Sequence, residues 1–81
     1  MSWEDEATPN QIYAWVRLTE WKMDNKTKVA ATKWLAKHAN RKQMSAELGR
    51  VRALYIDRKL DEKNCFDSKI WDGFNNQDGV K

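Results

Sequence analysis

Apolar residues recur along this chain at the spacing of α-helices, and no stretch alternates apolar and polar residues over the length of a strand. Three periodic stretches cover about residues 9–23, 25–39 and 41–63, and a shorter apolar run covers about 67–73. Ala, Lys, Leu, Arg, Gln, Glu and Met dominate the middle of the chain, and these residues favour helix. The pattern predicts an all-α fold, a compact bundle of three main helices with a short C-terminal helix.

The helix-start signals are clearest at the first and third helices. Thr8 is suited to cap the first helix, Pro9 fits its first turn, and Gln11 can bond back to the cap. Asn40 and Gln43 offer a similar arrangement at the third helix, although Asn40 also suits the end of the second. The second and third helices are therefore joined by a very tight connection, or they form one continuous helix.

The third helix carries two apolar stripes, which predict two packing surfaces. The first stripe is spaced like a coiled-coil seam and consists of Met44, Leu48, Val51 and Tyr55. The second consists of Gly49, Ala53, Ile56 and Leu60. Either this is the central helix, in contact with both of the others, or the first stripe is a homodimer seam.

The length of 81 residues indicates one domain over 1–81, with ends at 1–7 and 75–81 that we expect to be flexible unless Trp3 docks. Cys65 has no second cysteine to pair with, which fits a reducing compartment. The start lacks the features of a signal peptide, and no apolar run approaches the roughly 20 residues of a membrane span. These features predict a soluble cytoplasmic protein, in the host cytoplasm if it is phage-encoded.

Charge is concentrated in the middle of the chain. The stretch from Lys22 to Lys59 carries +8, whereas residues 1–21 carry −3 and residues 60–81 carry −2. An excess of this size attracts a polyanion or an acidic protein surface. We therefore expect nucleic acid, DNA rather than RNA, or an acidic or nucleic-acid-binding protein as the partner. The candidate nucleic-acid-binding residues are Lys26, Lys33, Lys37, Arg41, Lys42 and Arg52.

Reactive side chains are sparse. His38 and Cys65 are the single representatives of their types, and neither has neighbours that resemble a nucleophile with its base. His38 falls on the apolar face of the second helix, which predicts a core position. The chain has no pair of zinc ligands at finger spacing and no calcium loop. We expect no enzymatic activity, no metal and no cofactor.

Five tryptophans are many for a chain of this length. Trp15, Trp21 and Trp34 are predicted to lie mainly in the core, whereas Trp3 and Trp71 near the ends are predicted to be less buried. An exposed indole beside Lys or Arg can stack on single-stranded bases or anchor a protein interface. The candidate protein-interface residues are Trp21, Tyr55 and Trp71.

Two segments carry a family resemblance. The segment 8–12 reads Thr-Pro-Asn-Gln-Ile, and the segment 41–48 reads Arg-Lys-Gln-Met-Ser-Ala-Glu-Leu. Together they resemble a small helical module of phage proteins that is associated with recombination or single-strand DNA functions. The resemblance implies a mobile-element origin and a DNA context, and it supplies no binding residues.

Two functions follow from these observations. The first is a small non-enzymatic accessory protein of phage or mobile-element type, which binds nucleic acid through a basic helical face with little base specificity. The alternative is a protein-binding effector, an inhibitor or adaptor, that docks on a host or nucleic-acid enzyme through basic and aromatic helix surfaces.

Overall fold

The computed structural model of the protein describes residues 4–75, and most of this part of the chain is helical. The α-helices are α1 (Pro9–Thr19), α2 (Asn25–His38), α3 (Arg41–Ile56) and α4 (Asp72–Asn75). Short 3₁₀ turns cover Glu20–Lys22, Asn64–Phe66 and Lys69–Trp71. The predicted all-α architecture of three main helices and a short C-terminal one is therefore confirmed.

Capping boxes begin α1 and α3, as the sequence predicts. The Gln11 N–H donates to Thr8 Oγ1 (3.1 Å), and the Thr8 N–H donates to Gln11 Oε1 (3.0 Å). Asn40 and Gln43 exchange the same pair of bonds at 2.8 and 2.9 Å. Because Asn40 is extended and starts a new helix, α2 and α3 are separate helices with a connection of two residues.

The segment before α1 is attached to this connection. The Ala7 N–H donates to the Ala39 carbonyl (3.2 Å), and the Arg41 N–H donates to the Asp5 carbonyl (2.9 Å). Residues 5–7 thus form a short extended bridge beside the α2–α3 junction, and the flexibility expected for this end stays a prediction.

The C-terminal part of the chain folds back on the bundle. Its last described residue, Asn75, donates a side-chain hydrogen bond to the Phe66 carbonyl (3.0 Å). The other residues that we expect to be flexible, 1–3 and 76–81, lie outside the described part of the chain.

The third helix is shorter than predicted, because it ends at Ile56. Arg58 has a φ of 59°, its N–H donates to the Tyr55 carbonyl, and the Lys59 N–H donates to the Leu54 carbonyl. These two bonds form a Schellman motif. The left-handed position of that motif usually holds glycine, so the arginine there gave no signal that the helix ends.

The core lies between the three main helices and the C-terminal segment (residues 64–75), and α1 is the helix that packs against both α2 and α3. The prediction that α3 is the central helix is wrong, because only its first stripe faces inward, and Tyr55 at the end of that stripe is exposed. Met44 and Val51 are fully buried, which also contradicts a homodimer seam along that stripe. The second stripe is exposed in the helix at Gly49, Ala53 and Ile56.

Aromatic rings fill the space under the C-terminal segment. Trp71 is fully buried beside Trp15, with ring centroids 5.2 Å apart; Phe66 packs against both rings and Phe74 against Trp71. Trp71 therefore belongs to the core, and its assignment as a protein-interface residue is wrong. Trp21 shows the opposite error, since its predicted core position is contradicted by an exposure of 59%.

A buried carboxylate links these elements. Glu47 is 3% exposed, and its Oε2 accepts hydrogen bonds from Trp15 Nε1 (3.2 Å) and Trp71 Nε1 (2.8 Å). Its Oε1 accepts from Ser68 Oγ (2.8 Å) and from Arg50 Nε (3.1 Å). Arg50 Nη2 lies 2.5 Å from Oε2 and forms an ion pair. One side chain of α3 thus holds α1 and the C-terminal segment together.

The guanidinium of Arg50 continues this network. It also donates to the carbonyl oxygens of Asn64 and Cys65, the latter at 2.8 Å. The short 3₁₀ turn at Asn64–Phe66 offers few N–H donors to these carbonyl oxygens, so the guanidinium of Arg50 supplies the hydrogen bonds. We call Glu47 and its donors Trp15, Arg50, Ser68 and Trp71 the Glu47 hub.

The environment of Glu47 acts on its pKa in two directions. Burial by itself raises the pKa, but the hydrogen bonds from Arg50, Trp71 and Ser68 and the positive charge of Arg50 outweigh it. The pKa of Glu47 in the folded protein is therefore lower than its ordinary value of 4.5.

Removing the carboxylate should weaken the fold strongly. Glu47→Ala leaves the Arg50 charge half-buried and two indole N–H groups without an acceptor, so we expect the free energy of unfolding to fall by about 3–5 kcal/mol. Glu47→Gln keeps one acceptor oxygen and should lose less. Urea unfolding followed by circular dichroism measures both, with the exposed Glu62→Ala as the control. An Ala variant no less stable than this control would contradict the role of the hub.

Acid should remove the same stabilisation. Because the pKa of Glu47 is lower in the folded than in the unfolded protein, its contribution is complete well above pH 4.5. As the pH falls below 4.5 towards the folded-state pKa, the unfolded chain binds more protons and the contribution is lost. The difference in unfolding free energy between the wild type and Glu47→Gln should therefore shrink on acidification. A difference that is constant from pH 7 to pH 3 would contradict the lowered pKa.

Candidate nucleic-acid interface

Three lysines form one row along the outer side of α2. Lys26, Lys33 and Lys37 are all exposed, and at 100° per residue they lie within a sector of about 40°. The row extends about 16 Å along the helix at 1.5 Å per residue. We call these three residues the lysine stripe.

No carboxylate of α2 opposes the lysine stripe, since the helix contains no Asp or Glu. The nearest acid along the chain is the N-cap Asp24, whose side chain accepts from the Thr27 N–H (2.7 Å). The hydrogen bonds of Thr27 lower the pKa of Asp24. Lys33 and Lys37 form no ion pair with any residue between 4 and 75. The stripe is therefore a run of positive charge that faces solvent, and Glu6 from the segment before α1 lines the same groove as Lys33.

The other predicted cations lie on α3 and do not join this row. Arg41 is half-buried, and its Nε donates to the Glu6 carbonyl (3.4 Å), so it serves to hold the segment before α1. Lys42 and Arg52 are exposed, but they lie near opposite ends of α3 and about 80° apart around it. The structure thus brings together half of the predicted basic site.

A second surface combines aromatic and cationic side chains where α3 ends. The rings of Trp21 and Tyr55 meet edge to face, with centroids 6.3 Å apart. Tyr55 is 48% exposed and Ile56 is 68% exposed. A concavity of about 680 Å³ lies at this surface, and it is lined by Trp21, Lys22, Tyr55, Ile56, Arg58 and Leu60. We call Trp21, Lys22, Tyr55, Ile56 and Arg58 the Trp21 patch.

The indole of Trp21 is held in a fixed position. Its Nε1 donates to the Leu18 carbonyl (2.9 Å), a group that the end of α1 leaves available. The Nζ of Lys22 lies 4.2 Å from the centre of the Trp21 ring, a cation–π contact. The 3₁₀ turn at Glu20–Lys22 presents both side chains, and sequence periodicity gave no sign of this turn because it predicted a helix to residue 23.

Three other features of the described chain bear on ligand binding. A groove between α1 and α2 has a volume of about 690 Å³ and is mostly apolar, with Tyr13 and Val29 exposed on its walls.

His38 is exposed, and its ring stacks on that of Trp34 with the two centroids 3.8 Å apart, so its predicted core position is wrong. Cys65 is fully buried, and burial raises the pKa of its thiol to about 11. A neutral, enclosed thiol is a poor nucleophile.

Two further observations concern the chain between residues 4 and 75. No three of its His, Cys, Asp and Glu side chains come together in a group that could hold a metal ion. None of its helices combines the length and the apolar character required to cross a bilayer.

Comparison with known proteins gives no relative. No protein-family model, no curated protein and no solved structure matches this chain. The lysine stripe and the Trp21 patch are therefore the features from which a function can be inferred.

Proposed function

We propose that the protein is a small non-enzymatic accessory protein that binds nucleic acid through its phosphate backbone, with little base specificity. The phage or mobile-element type and the cytoplasmic location suggested by the sequence belong to this proposal. The observation that carries it is the lysine stripe, an exposed row of three cations on a helix without a carboxylate.

The geometry of the stripe suits phosphates better than bases. Lys26 and Lys33 are about 10 Å apart along the helix axis, and Lys33 and Lys37 about 6 Å. Each ammonium is a point charge on a flexible stem, so each can reach a backbone phosphate without a fixed orientation. Nothing in this row has the fixed, paired donors that read a base edge. Binding should therefore depend on charge and change little with sequence.

The size of the stripe limits the expected strength of binding. Three phosphate contacts release about three counterions, which gives a slope of log K against log salt of about −2 to −3. Such a protein binds at low salt and weakens steeply towards physiological salt. Arg58 and Lys22 can add to this slope if the ligand extends over the Trp21 patch.

The alternative is a protein-binding effector, and the exposure of the Trp21 patch favours it. Trp21 and Tyr55 remain candidate anchors for the acidic or nucleic-acid-binding surface of an enzyme, because aromatic residues dominate interface hot spots. Trp71 is no longer a candidate, since it lies in the core. This function predicts that a partner protein still binds the variant in which Lys33 and Lys37 of the lysine stripe are both replaced by Glu.

Charge reversal on the stripe tests the proposal. Lys33→Glu with Lys37→Glu changes the net charge from +3 to −1, and so does the control Lys63→Glu with Lys69→Glu at exposed positions away from the stripe. We expect the first pair to lower the affinity for short DNA and RNA by about 10-fold or more, and the salt slope by about 2. The control should stay within about threefold of the wild type.

The measurement is a fluorescence-anisotropy titration at low and at physiological salt, with circular dichroism to verify that each variant is folded. Equal losses in the two charge-reversal pairs would show that net charge, and not the stripe, drives binding. A wild-type protein that binds no nucleic acid at low salt would contradict the proposal and direct the search to a protein partner.

A further inference from the structure

We infer that the Trp21 patch is a base-stacking site, and that the nucleic acid bound by this protein is therefore single-stranded. The inference rests on the proposed function, and it adds the class of nucleic acid and a second part of the binding surface. It is carried by two exposed rings, their cationic neighbours and their place in the chain next to the lysine stripe.

The first argument is the exposure of two rings that meet at one surface, which sets them apart from Tyr13, the exposed ring on the other side of α1. Trp15, Trp71 and Phe74 are at most 3% exposed, whereas Trp21 and Tyr55 are about half exposed. Leaving large apolar rings in water is unfavourable in proportion to their area. Trp21 is also fixed by its bond to the Leu18 carbonyl, so it loses little freedom when a planar ligand packs on the face opposite Lys22 or displaces that flexible side chain.

The second argument is the charge around the rings. Both charged side chains that line the concavity, Lys22 and Arg58, are positive. The carboxylates of the adjacent Glu20 and Asp57 are not part of its wall. A ligand with flat apolar rings joined by anions fits this combination, and an unpaired nucleotide has that chemistry. An acidic protein segment supplies planar rings only where aromatic residues alternate with its acids, whereas every unpaired nucleotide carries a ring and an anion.

The third argument is continuity with the lysine stripe. Lys22 precedes Lys26 by four residues, so their Cα atoms are separated by at most about 14 Å. A strand whose base stacks on Trp21 can therefore continue along α2 and place its phosphates at Lys26, Lys33 and Lys37. This arrangement of stacking rings followed by a basic track is typical of proteins that bind single strands.

A duplex cannot use the patch in this way. Its bases are paired and stacked on each other, so their flat faces are not accessible to a ring on a protein surface without unpairing. Duplex DNA can still contact the lysine stripe through its phosphates. The Trp21 patch therefore contributes only to the binding of single strands, which makes it separable from the stripe by experiment.

The test compares a labelled single strand of 20 thymidines with a labelled 20-base-pair duplex. The variant is Trp21→Ala with Tyr55→Ala, and the control is Tyr13→Ala, which removes a ring as exposed as that of Trp21 from a different surface. We expect the double variant to bind the single strand about 10-fold or more weakly, with duplex affinity and both salt slopes unchanged. The control should bind both ligands like the wild type.

A second readout uses the native indole. Within residues 4–75, Trp21 is more exposed than the half-buried Trp34 and the buried Trp15 and Trp71, so in a Trp3→Phe background its fluorescence should be the part that an unlabelled thymidine strand quenches. The quenching should disappear in Trp21→Phe. Quenching that persists in this variant would overturn the assignment of the stacking residue.

Arg58→Gly offers a variant that does not endanger the fold. Glycine is favoured at the left-handed position that Arg58 occupies, so the substitution keeps or improves stability while it removes one cation from the patch. We expect weaker single-strand binding, with the salt slope reduced by about 1 and the duplex slope unchanged. If Arg58→Gly binds the single strand with the same affinity and salt slope as the wild type, Arg58 is not part of the binding surface and this part of the inference is overturned.

The outcomes separate this inference from the proposed function. If the folded double variant binds the single strand like the wild type while Lys33→Glu with Lys37→Glu abolishes binding, the inference is wrong and the proposed function stands. A wild-type preference for the duplex, or an equal loss for both ligands, also overturns the inference. A wild-type protein that binds neither ligand at low salt overturns both and leaves the patch to a protein partner.

Discussion

The fold depends on a carboxylate that is buried and kept ionised. Desolvating the charge of Glu47 is unfavourable, and the structure compensates for it with an ion pair and three further donors from distant parts of the chain. The C-terminal segment has only 3₁₀ turns and a helix of four residues, so it contributes few backbone bonds of its own. Its attachment to the bundle relies on the Glu47 hub and on the aromatic rings that the hub aligns.

This constraint separates the core from the surfaces that remain for binding. The hub draws Trp15 and Trp71 into the interior, whereas Trp21 and Tyr55 stay exposed together where α3 ends. The α2 helix packs on α1 by one side and is not part of the hub, which leaves its outer side free for lysines. The positive surface and the aromatic surface therefore lie on elements whose outward side chains have little part in stability.

Local signals were predictable from the sequence, and the choice of which apolar side chain meets the core was not. Both capping boxes and the lysine stripe follow from residue types at fixed spacing. The burial of Trp71 and the exposure of Trp21 depend on how the C-terminal segment returns, and composition does not specify that path. The end of α3 was missed because Arg58 replaces the usual glycine. Glu47 gave no signal, because a glutamate beside an apolar stripe normally faces solvent.

The hub also limits how this sequence can change in evolution. Trp15, Glu47, Ser68 and Trp71 are separated by up to 56 positions in the chain, yet they share one pair of oxygen atoms. Contacting residues of this kind are energetically coupled, so the effect of replacing one depends on the identity of the others. A lineage that abandons the buried charge must replace several of these positions together, and diverged relatives should therefore either keep the whole set or show coordinated substitutions across it.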